Sequence, residues 1–304
     1  MFVLPSKRCL QQQLSKILLE PGINTHIFQK LKKTVKRLPK EKRLCTLIFV
    51  EVALEPGFYF NKGKIIGFEG YGHKNNSQIA DHALVFMLKG IKGKFKQPIC
   101  YTFCKSCTKK DDLKNLIKSL IKEVHKTGLQ VIATICDQSQ SNISVIKSLR
   151  EDTTREYLKK ELEHKSCSFE MDNLKIYPLF DTPHLLKGVR NNLLKKDAKF
   201  KEDSIEKHAK WDHIKILFSE DVGEHEIRLV NKLTEFHIFE SKIPKMKVKY
   251  AAQVFSQRVS SALRFLARHK ILPPECQDTA SFLLIFDKLF DSFNGVTVHF
   301  APLQ

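Results

Sequence analysis

Two short, mainly apolar runs, residues 45–50 and 129–136, constrain the fold of this chain more than any other feature of the sequence. Each run is shorter than a typical helix and lacks polar–apolar alternation, so each suits a strand that is buried on both faces. A third mainly apolar run, residues 174–180, ends immediately before an aspartate, as the run 129–136 does. Strands of this kind occur in sheets that are flanked by helices, and the sequence therefore predicts an α/β domain.

The segments around these runs complete a coarse order of elements, in which strands dominate the first part of the chain and helices the second. The predicted elements are short helices in residues 5–43, a hairpin in 58–66 around Asn61-Lys62-Gly63, paired strands at 82–89 and 97–104, a helix with an apolar stripe from 113 to 124, a short helix from about 141 to 149 followed by a charged loop, and a mostly helical region from His184 onward with long helices near 249–269 and 278–291.

Charge is the strongest compositional signal. The chain carries 52 Lys and Arg against 33 Asp and Glu, a formal net charge of +19, and about half of the excess lies in residues 1–44. Such a balance favours a polyanionic partner, nucleic acid before membrane, and a solvated basic face without a ligand is the alternative. No apolar run is long enough to span a membrane, and the N-terminus lacks the pattern of a secretory signal, so an intracellular protein is expected.

Cysteine spacing gives little support for a metal site. The eight cysteines are expected to be reduced thiols, as is usual inside cells. Cys100, Cys104 and Cys107 contain one CxxC pair, which without a second pair is at most half of a zinc site. The favoured interpretation is thiols on and just after a buried strand.

Two aspartates are candidates for chemistry because each directly follows a predicted strand. Asp137 follows the run 129–136, and Asp181 follows the run 174–180. In open α/β sheets, ligands bind beyond the carboxyl ends of the strands, so these carboxylates could hold a metal ion. Aspartate is also a common turn and helix N-cap residue, and both interpretations stay open.

Several blocks of sequence, in their order along the chain, resemble the P-element family of DNA transposases, which includes the vertebrate THAP-domain relatives. The blocks are Leu47–Glu51 with Leu54–Gly57, Ile79–Leu84, Val131–Gln138, Phe180–Lys187 with Val189–Asn192, Val248–Ser256 and Phe286–Asn294. The resemblance implies a ribonuclease-H-like mixed sheet with flanking helices and three metal-binding acids, interrupted by a mostly α-helical insertion domain that binds GTP.

The resemblance also implies where the metal-binding acids should lie. The first acid of the family falls where this chain has Val50, in Phe49-Val50-Glu51, and the second is matched by Asp137. The third, a glutamate, lies beyond the insertion domain and is not matched in residues 1–304. Val50 offers no oxygen to Mg²⁺, and Glu51 points to the opposite face of a strand. We therefore expect no metal-dependent catalysis.

The nucleotide site implied by the family is better matched. Lys187, Asp291 and Asn294 correspond to GTP contacts, and Asp181 corresponds to a position linked to purine choice. A lysine suits phosphate, and an aspartate can accept hydrogen bonds from guanine. Because the family site extends past residue 304, weak GTP binding at most is expected. The alternative is a purely structural role at helix ends. A structural role is also expected for His184, in the Thr-Pro-His motif that follows Asp181.

We divide the sequence into a basic helical segment (1–40), a ribonuclease-H-like domain (41–184) and part of a GTP-binding insertion domain (185–304). The family's N-terminal zinc finger is not matched, since Cys9 stands alone in residues 1–44. The functional hypothesis is a truncated, domesticated or decaying transposase that is catalytically inactive, nuclear, associated with DNA and GTP, and able to form a homo-oligomer. The alternative is an active transposase or nuclease subunit that uses a divalent metal.

Overall fold

The computed structural model describes residues 5–15, 20–61, 64–70, 75–223 and 228–294. The chain divides into two compact units, Met1–Phe180 and Asp181–Gln304, called here the sheet unit and the helical unit. Residues Ile17 and Leu18 of the predicted N-terminal helices, and Lys62 and Gly63 of the predicted hairpin turn, lie outside the described residues.

The sheet unit contains eleven described strands and four α-helices. They are α1 (Lys7–Ser15), β1 (Gly22–Ile23), α2 (Thr25–Val35), a 3-10 turn (Lys40–Arg43), β2 (Leu44–Ala53), β3 (Tyr59–Asn61), β4 (Lys64–Ile66), β5 (Phe68–Gly70), β6 (Asn75–Ile79), β7 (His82–Gly90), β8 (Lys96–Cys104), α3 (Lys110–Lys126), β9 (Gln130–Cys136), α4 (Gln140–Leu158), β10 (Phe169–Met171) and β11 (Leu174–Phe180).

The main sheet has the mixed topology expected from the resemblance. Its strand order is β10-β11-β9-β2-β7-β8-β5-β6, with β1 paired to β8. Strands β2, β7 and β8 are antiparallel neighbours, whereas β9 runs parallel to β2, and β11 runs parallel to β9. The carboxyl ends of β2, β9 and β11 therefore lie side by side at the same end of the strands. The small hairpin β3–β4 pairs separately.

Helices cover one face of this sheet. Alternate residues of β2, namely Cys45, Leu47 and Phe49, are buried in a core that also contains the apolar stripes of α2, α3 and α4. The other face carries Val50, which is 40 % exposed, together with exposed Tyr177 and Leu179 on β11. The prediction that these strands are buried on both faces is therefore wrong for β2 and β11, because α2, α3 and α4 pack into a core on a single face.

The helical unit contains α5 (Thr182–Leu193), β12 (Ala198–Glu202), β13 (Ile205–Ala209), α6 (Trp211–Asp221), α7 (Glu235–Ile238), α8 (Val248–Val254), α9 (Gln257–Arg268) and α10 (Cys276–Asn294). Its core is built from the apolar faces of α5, α6, α8, α9 and α10. Trp211 is buried and donates its indole N–H to the carbonyl of Ile238 at 3.1 Å. The sole tryptophan therefore joins α6 to α7.

Two local predictions are wrong, and one element was missed. Helix α4 continues to Leu158 instead of ending near 149, because Asp152 in its second half pairs with Lys114 and Lys118 of α3. The helix predicted at 249–269 is two helices, since Ser256 adopts an extended conformation and caps α9. The hairpin β12–β13 was not predicted, and its turn residues Asp203 and Ser204 both have positive φ, as tight hairpins require.

No helix in the described parts of the chain is long and apolar enough to cross a membrane.

Candidate functional site

The position expected for a catalytic metal lies where β2 and β9 run side by side. Ile48 pairs with Ile135 in parallel register, and Val50 and Asp137 each follow two residues later. Val50 lies on the face of the sheet that is opposite to the helix-covered core. The fold thus places an isopropyl group at the strand position where the family resemblance implies the first metal-binding carboxylate.

The Asp137 carboxylate is held by the first turn of α4. Its Oδ1 accepts hydrogen bonds from the backbone N–H of Ser139 at 2.9 Å and from Nδ2 of Asn142 at 2.7 Å. Ser139 in turn caps α4 by accepting from the N–H of Asn142. This is the turn-and-cap arrangement that aspartate commonly forms at a strand end. One carboxylate oxygen of Asp137 is engaged, and its position beside β2 is fixed.

Glu51 does not compensate for Val50. Its Oε1 accepts a hydrogen bond from the backbone N–H of Thr108 at 3.0 Å, in the segment that follows β8. Among the residues that the structure describes, no group of three or more His, Cys, Asp or Glu side chains could hold a metal ion. A pair of Mg²⁺ ions needs several carboxylate oxygens in near-octahedral arrangement. The described residues around Val50 do not fit this requirement.

Cys100, Cys104 and Cys107, which include the CxxC pair, differ in their burial. Cys100 and Cys104 lie buried on β8, whereas Cys107 is exposed in the following segment. Burial raises the pKa of the Cys100 thiol to about 12 and that of Cys104 to about 11. Zinc binds thiolates, which such pKa values disfavour. The two strand cysteines behave as small apolar residues of the core.

At the start of the helical unit, Asp181 is the N-cap of α5. Its Oδ2 accepts a hydrogen bond from the backbone N–H of His184, and Nδ1 of His184 lies 2.6 Å from the same oxygen. Pro183 occupies the first turn, where its missing N–H is not needed. Both side chains are partly exposed, and together they fix the entry into α5.

Two cations on successive turns of α5 are buried without a carboxylate partner in the described residues. Lys187 directs Nζ at the carbonyl of Met246, 3.5 Å away. Arg190, only 1 % exposed, donates from Nη2 to the carbonyl of Lys245 at 2.8 Å and from Nε to Oδ1 of Asn191. Burial lowers the pKa of Arg190. Uncompensated buried charges are unfavourable, and an anion would offset them.

Asp291 and Asn294 lie at the C-terminal end of α10, which packs against α5. Asp291 is exposed, and the placement of the Asn294 side chain lies outside what the structure describes. Among the described residues, no hydrogen bond or ion pair joins Lys187 to Asp181 or Asp291. The structure thus places the predicted GTP residues on two neighbouring helices and records no hydrogen bond between the side chains of Lys187, Asp181 and Asp291.

Arg190 was missed by the sequence interpretation. Arg190 lies within the resembling block Val189–Asn192 but was assigned no role, because a lone arginine in a helix gives no signal of burial. Its spacing of three residues from Lys187 does place the two side chains on one helix face.

A basic surface is present on α2. This helix buries Phe28 and Val35 in the core of the sheet unit and exposes Lys30, Lys32 and Lys33, and its C-cap Lys36 and the following Arg37 extend the same exposed basic surface. None of these five cations has an ion-pair partner among the described residues. Clustered, unpaired cations on one helix are typical of a surface that binds polyanions.

The fold and the position of Val50 and Asp137 define a ribonuclease-H-like sheet domain followed by a helical domain. Residues 19–150 match the family described as "TNP-like, RNase H N-terminal domain", and residues 183–301 match "TNP-like, GTP-binding insertion domain". The chain therefore contains two TNP-like domains and is homologous to the P-element-type transposases. The resemblance and the fold class predicted from the sequence are confirmed.

Two curated relatives show the same relationship. The "Transposable element P transposase" of Drosophila melanogaster is 24% identical over 294 residues, which cover 97% of this chain and 35% of the relative. "DNA transposase THAP9" of Homo sapiens is 26% identical over 301 residues, which cover 96% of this chain and 32% of the relative. The chain thus spans about a third of the length of these relatives.

A solved structure agrees in fold. The "Drosophila P element transposase strand transfer complex" superimposes with a TM-score of 0.70 and 24% sequence identity. The match covers 96% of this chain and 59% of that chain. At this identity the similarity establishes the shared fold.

Proposed function

We propose that this chain is a DNA-associated, GTP-binding member of the transposase family that does not catalyse metal-dependent strand transfer. The observation that carries the proposal is Val50, whose side chain occupies the strand position beside Asp137 and has no metal-binding atom. One carboxylate cannot hold two divalent ions in the positions that strand transfer requires. The proposal places the protein on nuclear DNA, as a domesticated or decaying homo-oligomeric relative of the active enzymes.

Strand transfer on pre-cut DNA ends tests the catalytic part. We expect no Mg²⁺- or Mn²⁺-dependent activity from the native chain or from Val50→Asp, because one added carboxylate still leaves fewer acids than the family resemblance implies. Val52→Asp is a matched control, since Val52 lies two residues further on the same face and is similarly exposed. A graft that supplies a further glutamate together with Val50→Asp should be needed for activity.

Activity in the native chain would support the alternative function, an active transposase or nuclease subunit. Activity in Val50→Asp but not in Val52→Asp would show that an acid already in the chain completes the site. Either result contradicts the inactive assignment.

The DNA-binding part of the proposal depends on the exposed cations of α2. We expect duplex DNA to bind without sequence preference and with an affinity that falls steeply as salt rises. Replacing Lys33, Lys36 and Arg37 with Gln should reduce the salt slope by about 0.9 for each lost phosphate contact. The control replaces Lys109, Lys110 and Lys122, which are exposed near or on α3, and removes the same charge. Equal slopes for the two triple variants would contradict the assignment to α2.

The GTP-binding part depends on the buried cations of α5. Lys187 and Arg190 are chemically suited to phosphate oxygens because both are desolvated and lack a carboxylate partner among the described residues. Asp291 would accept hydrogen bonds from the guanine N–H groups, and Asp181 and Asn294 would lie near the base. These roles follow from the family resemblance together with the packing of α5 against α10.

Titration calorimetry with GTP and ATP tests this part. Lys187→Met should weaken GTP binding about tenfold or more, since a charge-assisted hydrogen bond is lost. Lys196→Met, an exposed position just beyond α5, is the control and should leave binding unchanged. Asp291→Asn should reduce the preference for GTP over ATP. Equal affinities for GTP and ATP in the native chain would contradict guanine recognition.

A further inference from the structure

A cavity in the helical unit is lined by hydrogen-bond donors and cations. It has a volume of about 260 Å³ and lies between α8, α9 and the segment before α7. Lys232, Lys249 and Arg258 contribute three cations, and none of the described residues that line the cavity is Asp or Glu. None of the residues that the family resemblance assigns to GTP contributes to it. Its volume is below that of most drug-sized pockets and suits a compact group such as a phosphate with its sugar.

A buried histidine orients one uncharged donor of this cavity. Nδ1 of His237 accepts from the backbone N–H of Thr234, so the ring proton is on Nε2 and is donated to Oε1 of Gln253 at 2.8 Å. The oxygen of the Gln253 amide is therefore occupied, and its NH₂ group is the part available to the cavity that Gln253 lines. Together with the three cations, this amide gives a donor-rich wall that is complementary to an anion.

Asp221, which accepts a hydrogen bond from the cavity residue Val230, is already engaged. Asp221 is buried, pairs through Oδ2 with Arg228 and accepts through Oδ1 from the backbone N–H groups of Leu229 and Val230. In the described residues, Lys232 and Lys249 have no ion-pair partner, and Arg258 donates to the neutral side chain of Asn231. The positive charge of the cavity is therefore not neutralised by the described protein groups.

A second groove of about 460 Å³ adjoins the first through Arg258, which lines both. It follows one face of α9 from Arg258 to Phe265, and the Phe265 side chain is 53 % exposed. Seven residues of helix separate these positions by roughly 10 Å along the axis, short enough for one strand to reach both. Exposed aromatic rings beside cations are typical of proteins that bind single-stranded nucleic acid.

We propose that the two grooves bind one stretch of single-stranded nucleic acid, with a backbone phosphate in the cation-lined cavity and a neighbouring base on the ring of Phe265. The inference extends the proposed association with DNA and adds a contact on the helical unit that is separate from α2 and from the GTP residues. The sugar–phosphate backbone supplies the anion, and stacking on Phe265 requires an unpaired base, which a duplex does not offer.

Fluorescence anisotropy of the full chain with a labelled oligothymidylate tests the inference. Lys249→Gln and Lys232→Gln should each weaken binding several-fold at low salt and reduce the salt slope by about 0.7, the value for one phosphate contact on a single strand. Phe265→Leu should weaken binding about tenfold with an unchanged salt slope, because stacking is lost and charge is not. Lys201→Gln, an exposed lysine on β12 outside both grooves, is the charge-matched control. Trp211 emission verifies that each variant is folded.

The outcomes distinguish binding in this cavity from binding on α2 and from binding at the GTP residues. If the native chain binds oligothymidylate and the cavity variants bind it with the same affinity as Lys201→Gln, the inference is wrong and the α2 proposal is unaffected. No binding of oligothymidylate by the native chain overturns the inference, whereas only a failure to bind duplex DNA overturns the α2 proposal. If the cavity variants lose affinity for inorganic phosphate or GTP but keep their affinity for oligothymidylate, the cavity binds a small phosphate ligand, and the inference of a nucleic-acid occupant is wrong. A loss for oligothymidylate that is larger than the loss for duplex DNA supports the inference.

Discussion

At the scale of single residues, Asp137 has a structural role that does not depend on a metal. Its Oδ1 holds both the Ser139 N–H and the Asn142 side chain at the start of α4. Asp137→Ala should therefore lower the free energy of unfolding by about 1–2 kcal/mol, whereas Asp137→Asn keeps an acceptor and should cost less. Urea denaturation followed by circular dichroism measures both, with and without Mg²⁺. A cost that appears only when Mg²⁺ is present would instead indicate a bound ion.

His213 makes the stability of the helical unit depend on pH. It is buried, and its Nδ1 lies 2.7 Å from the hydroxyl of Thr279, which also accepts the N–H of Lys210. Burial, with a smaller effect of the Lys210 charge, lowers the pKa of His213 from its ordinary value of 6.5. The hydroxyl hydrogen of Thr279 is therefore available to the unprotonated Nδ1.

The sign of the pH effect follows from linkage. Above pH 6.5 the ring is neutral in both the folded and the unfolded chain, so it contributes no pH dependence there. As pH falls below 6.5 the unfolded chain takes up the proton first, and the unfolding free energy decreases, at most by about 1.4 kcal/mol per pH unit, until the lower folded pKa is reached. His213→Gln should flatten this decline in urea titrations followed by Trp211 emission. An unchanged slope would contradict a neutral buried His213.

At the scale of elements, α9 begins with two side-chain acceptors. Ser256 Oγ accepts from the N–H of Val259, and Oδ2 of Asp287, on α10, accepts from the N–H of Gln257 at 2.9 Å. Burial first, and then the charge of Asp291 one turn away, raise the pKa of Asp287. The ionised form of Asp287 is thus disfavoured although its oxygen is needed as an acceptor.

Asp287→Asn should leave the thermal midpoint unchanged or raise it, because the amide oxygen still caps α9 while the unfavourable charge is removed. Asp287→Ala removes the acceptor and should cost about 1 kcal/mol, similar to Ser256→Ala. Thermal unfolding followed at Trp211 compares the three variants. A larger loss for Asn than for Ala would show that the negative charge itself stabilises α9.

Elements that carry their own periodic signal were predictable from the sequence, and elements fixed by distant contacts were not. The apolar runs of β2 and β9 and the stripe of α3 appear in the sequence because burial selects their residues. The second half of α4 has a low apolar periodicity and depends on Asp152 contacting Lys114 and Lys118. The turn of β12–β13 uses Asp203 and Ser204 at positive φ, where glycine is the usual signal.

For the candidate site, the sequence predicted which residues follow the strands, and the structure supplied their partners. The burial of Lys187 and Arg190 depends on contacts with Met246 and Lys245, far along the chain, whereas the hydrogen bond between Asp137 and Asn142 is local. The cation-lined cavity also combines residues 230–259 from several elements, and its lysines look like ordinary surface residues in the sequence. Charge content predicted a polyanionic partner but not the surface that would bind it.

At the scale of the whole molecule, the two units have separate apolar cores. The sole tryptophan, Trp211, lies in the helical unit, so its emission reports on that unit, whereas far-ultraviolet circular dichroism reports on both. Two probes with different coverage can therefore show whether the units unfold independently. Two-state behaviour is not expected of a chain with two separate cores.

Two matched core truncations test this independence. Ile117 and Leu217 are fully buried in the sheet unit and the helical unit respectively, and each truncation to alanine should cost about 2–5 kcal/mol. Ile117→Ala should move the part of the circular dichroism transition that comes from the sheet unit to lower urea. The midpoint of the Trp211 emission should stay where it is in the native chain. Leu217→Ala should lower the Trp211 midpoint instead. If both probes shift together in both variants, the units unfold cooperatively, and separate cores do not mean separate stability.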